Sequence, residues 1–140
     1  MRVLKMLSVV ALVLLMLIGC GNRSDQREFS ETMDRWEVLV RWSQYDALID
    51  FIHPEWLEEN PIRSIDISRL EQYRISEYRL RQVLSSPDEK AVERLVRLRM
   101  YHIHSARERV VDFHEVWRYD EDYKRWLLHS GLPDPTAGRL

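Results

Sequence analysis

Residues 91–104 read Ala91-Val92-Glu93-Arg94-Leu95-Val96-Arg97-Leu98-Arg99-Met100-Tyr101-His102-Ile103-His104. From Val96 to Met100, apolar and basic residues alternate one by one. A period of two is the mark of a strand with one buried and one wet face. The same pattern extends on both sides, so that residues 70–85, 91–104, 107–119 and 124–130 read as extended segments. Between them stand Ser85-Ser86-Pro87-Asp88-Glu89, Ser105-Ala106 and Asp120-Glu121-Asp122, which carry turn chemistry. Strands joined by such short connections form an antiparallel meander.

Charge suggests the register. Pairing Glu77 with Arg97, Arg81 with Glu93 and Tyr73 with Tyr101 in the first hairpin sets opposite charges across from one another. Pairing Arg99 with Asp112 and Glu93 with Arg118 does the same in the second. That face is expected to be solvated. The opposite face then collects Tyr78, Leu80, Leu84, Val96, Leu98, Met100, Val111, Phe113 and Trp117. A last hairpin with Trp126 opposite Trp117 adds Trp126 and Leu128. A sheet with one apolar face needs a cover.

The cover lies upstream, where the period is 3.6. Phe29, Met33, Trp36 and Val40, with Leu39 beside them, form one helical stripe. Asp25 and Glu28 have capping-box spacing at its start. Ser43 is placed to cap a second helix with the stripe Tyr45, Leu48, Ile49 and Ile52, which Pro54 ends near His53. Pro54-Glu55-Trp56-Leu57 adds a turn, Asn60-Pro61 a break, and residues 62–67 are expected as a short strand. The fold class is therefore α+β, with an N-terminal helix pair packed on a curved antiparallel meander of about four strands.

Residues 1–19 are a separate object. Arg2 and Lys5 give a positive start, and residues 6–18 are apolar apart from Ser8. This run is short for a membrane span and fits the apolar core of a signal peptide. It ends in Leu17-Ile18-Gly19-Cys20, which resembles the lipobox of bacterial lipoproteins. That resemblance implies cleavage before Cys20, lipidation of Cys20, and a polar tether through residue 24. Gly21 stands where lipoproteins kept in the inner membrane usually carry Asp, which implies the outer membrane, facing the periplasm. Cleavage would leave 121 of the 140 residues. With Arg2 and Lys5 gone, 19 basic residues face 23 acidic ones, so the net charge goes from -2 to -4. Such a chain has no basic patch for nucleic acid, and no nucleic-acid partner is expected. Membrane lipid, reached through acylated Cys20, is the partner the lipobox implies.

Residues 25–133 resemble a nuclear transport factor 2-like (cystatin-like cone) domain, with 134–140 as a C-terminal tail. The resemblance rests on Tyr45-Asp46-Ala47-Leu48-Ile49-Asp50-Phe51-Ile52-His53-Pro54-Glu55 and on the long hairpin. It rests also on Val116-Trp117-Arg118-Tyr119-Asp120, a turn, Arg125-Trp126-Leu127-Leu128, and the closing Ser130-Gly131-Leu132-Pro133. In that family a third helix usually separates an early hairpin from the remaining strands. Here residues 60–69 are too few for both a strand and that helix.

Cone-fold enzymes of this kind use a buried acid or histidine. Glu115 falls on the inner face opposite Val96, with Arg94, Arg109 and His102 the nearest inward polar residues. Glu115, His102 and Arg109 are thus the candidate catalytic residues. The competing reading is a Glu–Arg ion pair at the end of the sheet. His102-x-His104 places two imidazoles on one side of a strand, but a metal needs a third ligand. His114 falls on the other face, and His53 and His129 have no fixed relation to the pair. No metal site and no cofactor are expected. Trp36, Trp117 and Trp126 belong to the core by position, while Trp42 and Trp56 lie off the stripes as rim or cover. No phosphate-binding glycine loop, GxSxG, HExxH or EF-hand loop occurs. The small outer-membrane assembly lipoproteins, with two helices on a short sheet, offer a second comparison. Their glycine-rich motif is missing from residues 45–53. The sequence therefore points to an anchored, non-enzymatic binding module. Its partner would be an envelope protein or a second copy. The alternative is a small cone-fold enzyme or ligand-binding protein built around Glu115.

Overall fold

A computed structural model describes residues 21–136. The proposed signal peptide, Cys20 and the last four residues lie outside them. Helix α1 spans Gly21–Arg41. A short helix α2 (Tyr45–Leu48) runs into a single 3-10 turn (Ile49–Phe51), followed by α3 (Pro54–Glu59) and α4 (Ser64–Leu70). Four strands follow: β1 (Tyr73–Ser85), β2 (Ala91–His102), β3 (Glu108–Asp120) and β4 (Arg125–Leu128). They form one antiparallel sheet in the order β1-β2-β3-β4. The α+β arrangement of helices on an open four-stranded meander agrees with the sequence pattern.

Three local expectations change. Residues 21–24, expected as a polar tether, are helical within the described span Gly21–Arg41. None of those residues is a proline, and nothing in them stops the helix from extending back. Residues 62–67 are not a strand. Asp66 accepts the backbone N–H of Arg63 at 3.1 Å and starts α4, whose Ile67 and Leu70 are buried three residues apart. Ser43 does not cap α2. It sits at φ 55° and ends α1 instead. Its N–H bonds the carbonyl of Val40 and the N–H of Gln44 bonds that of Leu39, the paired closure of a Schellman motif.

The register is offset from the charge-derived one, mostly by two. Glu77 faces Arg99, Arg97 faces Asp112, Arg118 faces Ala91 and Trp126 faces Tyr119. The loops set this. His102 N–H bonds the carbonyl of Arg107, which closes a loop over residues 103–106, with Ala106 at φ 52°. Asp120 Oδ1 accepts the N–H groups of Asp122 and Tyr123 and shapes the loop before Lys124, at φ 50°. A slip of two keeps every side chain on its face, so the inner face survives the error.

Strand β1 differs more. Two bulges, between Ile75 and Glu77 and between Leu80 and Gln82, each flip its alternation. Tyr73 therefore faces His102, and Leu84 faces Glu93 on the outer side. Leu80 and Leu84, expected in the core, are exposed. Leu84 is turned outward by the second bulge, and Leu80, though on the inner face, lies on the edge strand of the sheet. The core gathers instead around Trp36, fully buried, edge-on to Trp117 at 5.2 Å and Phe51 at 5.5 Å between ring centroids.

Candidate functional site

Glu115 is fully buried, and its inward placement on β3 follows the sequence expectation. The residue across from it is Arg94, not Val96. Arg94 Nη1 lies 3.2 Å from Glu115 Oε2, and both side chains are almost wholly enclosed. Trp117 Nε1 donates to the same oxygen at 3.1 Å. Trp36 Nε1 and the Tyr78 hydroxyl both donate to Oε1, each at 2.9 Å. Three hydrogen-bond donors from α1, β1 and β3 and an ion-pair partner from β2 thus converge on one carboxylate. Burial, reinforced by the Glu115 carboxylate, drives the Tyr78 phenol far above its ordinary range and holds it as a donor. Arg94 also donates to Met33 Sδ and lies 5.9 Å from the Tyr78 ring centroid. A carboxylate so fully occupied holds elements together and has no free lone pair aimed at a substrate.

The other candidates stand apart from it. Arg109 is six positions from Glu115 along β3, about 20 Å at strand rise. Its Nη1 donates to the carbonyl of Pro135 at 3.0 Å, and its guanidinium lies over Tyr73. His102 sits beyond Tyr73 at the far end of β2. Its Nε2 is 3.2 Å from Gln72 Oε1, and its Nδ1 accepts the N–H of His104. Glu115, His102 and Arg109 therefore form no common site. Among the described residues, no group of three or more His, Cys, Asp or Glu side chains converges to hold a metal. No helix among them is long and apolar enough to cross a membrane.

A second polar cluster was not legible in the sequence. His53 caps α3, its Nδ1 accepting the N–H of Glu55 at 3.2 Å. With Nδ1 as acceptor the proton sits on Nε2, which donates to Asp120 Oδ2 at 3.0 Å. His129 stacks on His53 with centroids 4.6 Å apart, and Tyr123 meets the ring edge-on. Burial, with added repulsion from Arg118, lowers the proton affinity of His129. This stack ties the β3–β4 loop to the start of α3. The His-Pro step at residues 53–54 was the available signal, since proline favours the first helical position.

The third feature is the open edge of β1. In its first half, side chains from α1, α2 and the loop between them occupy the edge. Tyr45 donates to the carbonyl of Tyr73 at 3.1 Å, Ser43 Oγ accepts the N–H of Ile75 at 3.1 Å, and Arg41 Nη2 donates to the carbonyl of Tyr78 at 3.0 Å. Beyond Tyr78 no such side chain reaches the edge among the described residues. Residues 79–85 are exposed on both faces, including Leu80 (44%), Val83 (47%) and Leu84 (57%). Nearby, at the end of α1, Trp42 is 73% exposed.

No family model matches this chain, and no curated protein matches it in sequence. Among solved structures it is similar to the solution structure of a SEC-C motif containing protein from Rhodopseudomonas palustris. The two are 12% identical, with a TM-score of 0.53 over 70% of this chain and 72% of that one. At that identity the likeness is one of fold.

Proposed function

We propose that this chain is a lipid-anchored envelope protein that works by docking. Its α+β domain is read as a cone-like, nuclear transport factor 2-like module held at the outer membrane, facing the periplasm, through acylated Cys20. The observation that carries the docking reading is the bare second half of β1. Soluble domains blunt their sheet edges; among the described residues, helix and loop side chains cap the first half of this one, and the second half is interrupted only by the bulge between Leu80 and Gln82. The closure of Glu115 by three hydrogen-bond donors and the Arg94 ion pair favours the same reading over a cone-fold acid–base enzyme.

Palmitate labelling of the full chain tests the anchor. The native protein is expected to take label and sediment with membranes, and Cys20→Ala to do neither. Crosslinking in intact envelopes, read by mass spectrometry, tests the docking. Adducts are expected at residues bordering β1, and a crosslink map empty along that edge would sink the reading.

A further inference from the structure

We infer that the bare edge of β1 is a self-complementary surface whose occupant is β1 of a second copy of this chain. This inference rests on the docking reading and names the partner.

The bulge between Leu80 and Gln82 supplies the reason. Leu80 pairs with Val96 and Val83 with Arg94, both buried, so Leu80 and Val83 point to the inner face. Arg79 pairs with Arg97 and Leu84 with Glu93, both exposed, so Arg79 and Leu84 point outward. Gln82 follows its partner Leu95, which alternates with those inner residues and so also points outward. Arg81, the extra residue of the bulge, acts electrostatically on Asp112, which stands on the outer face opposite Arg97. Residues 79–84 therefore run out, in, out, out, in, out. That order is the same read from either end.

An antiparallel strand must match inner with inner and outer with outer across the ladder. A second copy turned about a dyad between residues 81 and 82 does so at all six positions. Leu80 then faces the other copy's Val83, Arg81 its Gln82 and Arg79 its Leu84. No two like charges oppose each other, and each Arg81 meets an amide that can accept from it. The register also ends where the capping begins. Tyr78, whose carbonyl Arg41 occupies, would lie opposite Ser85. Past that point the second copy's turn runs alongside residues 75–77 and toward the exposed Trp42, next to Ser43. The contact is isologous and closes as a dimer, giving one continuous sheet of eight strands with both helix layers on one side.

The test uses two differently tagged full-length chains, co-expressed in envelopes. One carries Leu80→Cys and the other Val83→Cys. Opposed residues in this register approach to about 5 Å between Cα atoms, within disulfide reach. Two copies of either variant alone hold their cysteines about three residues apart along the ladder, out of reach. The expected result is a mixed disulfide of twice the single-chain mass in the co-expression, and none with either variant alone. Both positions are exposed, so Leu80→Lys with Val83→Lys is expected to fold, by circular dichroism, yet to sediment as a monomer in detergent where the native chain is a dimer. A native chain that sediments as a monomer, or a mixed pair that fails to join, overturns the inference. Envelope adducts to a different protein in that case would leave the docking reading standing, and an absence of adducts along β1 would remove both.

Discussion

Glu115 shows how one residue type can be placed correctly and its role left open. Alternation along residues 107–119 puts it inside the sheet, and composition then allows either an acid–base group or an ion pair. What decides between them is which neighbours reach it. Trp36 and Tyr78 come from elements 79 and 37 residues away, and no local pattern shows that both aim at one oxygen. A buried charge held this way is costly to break and cheap to replace whole. Glu115→Gln leaves Arg94 enclosed without a counter-charge and is expected to cost about 3–5 kcal/mol in urea denaturation. Pairing Glu115→Gln with Arg94→Met removes the uncompensated charge and keeps an amide oxygen for the Trp36 and Tyr78 donors, and is expected to recover part of that loss. An additive double variant would contradict the ion-pair account. His129 gives a second residue-scale outcome. Folding lowers its proton affinity, so the unfolded chain binds the proton more readily. The associated stability is present above about pH 6.5 and is lost as pH falls through the lowered value. Chemical denaturation at pH 7 and pH 5 is expected to show this loss, and His129→Gln to flatten it.

At the scale of elements, the strands were legible to within three residues because alternation and turn chemistry agree there. The registers were legible only to within two or three positions. Charge pairing is blind to such a slip, since long arginine side chains reach diagonal neighbours as well as direct ones. The bulges in β1 left no mark in the alternation strong enough to read; the second turns Leu84 outward, while Leu80 keeps its inner face but lies exposed on the edge strand. The helix break at Ser43 was read in the right place for the wrong reason. A serine after a helix and before another looks like a cap, whereas here it is the left-handed terminus of α1 and an acceptor for the edge of β1. Its two roles predict opposite effects from two small substitutions. Ser43→Ala keeps the positive φ and loses the bond to Ile75, and is expected to destabilise by about 1 kcal/mol. Ser43→Gly loses the same bond but relieves the backbone by about 1 kcal/mol, and is expected to come out near zero. Equal losses from both substitutions would mean that the backbone strain is not there.

At the scale of the molecule, charge and anchoring fit together. Gln26, near the first described residues of helix α1, donates to Glu89 in the β1–β2 turn at 2.9 Å. The proposed anchor therefore enters at the turn end of the first hairpin. In the proposed dimer those two ends lie on opposite sides of the dyad, yet the helix layers share one face of the sheet. With the dyad along the membrane normal, both chains start toward the same bilayer. Two acylated termini hold far more firmly than one. By net charge the folded part is expected to add little attraction to anionic lipid, since cleavage would leave -4 and only Lys90 and Lys124 as lysines. Charge attraction to anionic lipid would vanish in strong salt, where screening acts within about 3 Å at 1 M. Lipid insertion has no such dependence. Membranes bearing the native chain, washed in 1 M sodium chloride, are expected to retain it fully, and detergent to release it. Release by salt alone would mean that the protein is held by charged groups on the domain, and the lipidated cysteine would lose its place as the anchor.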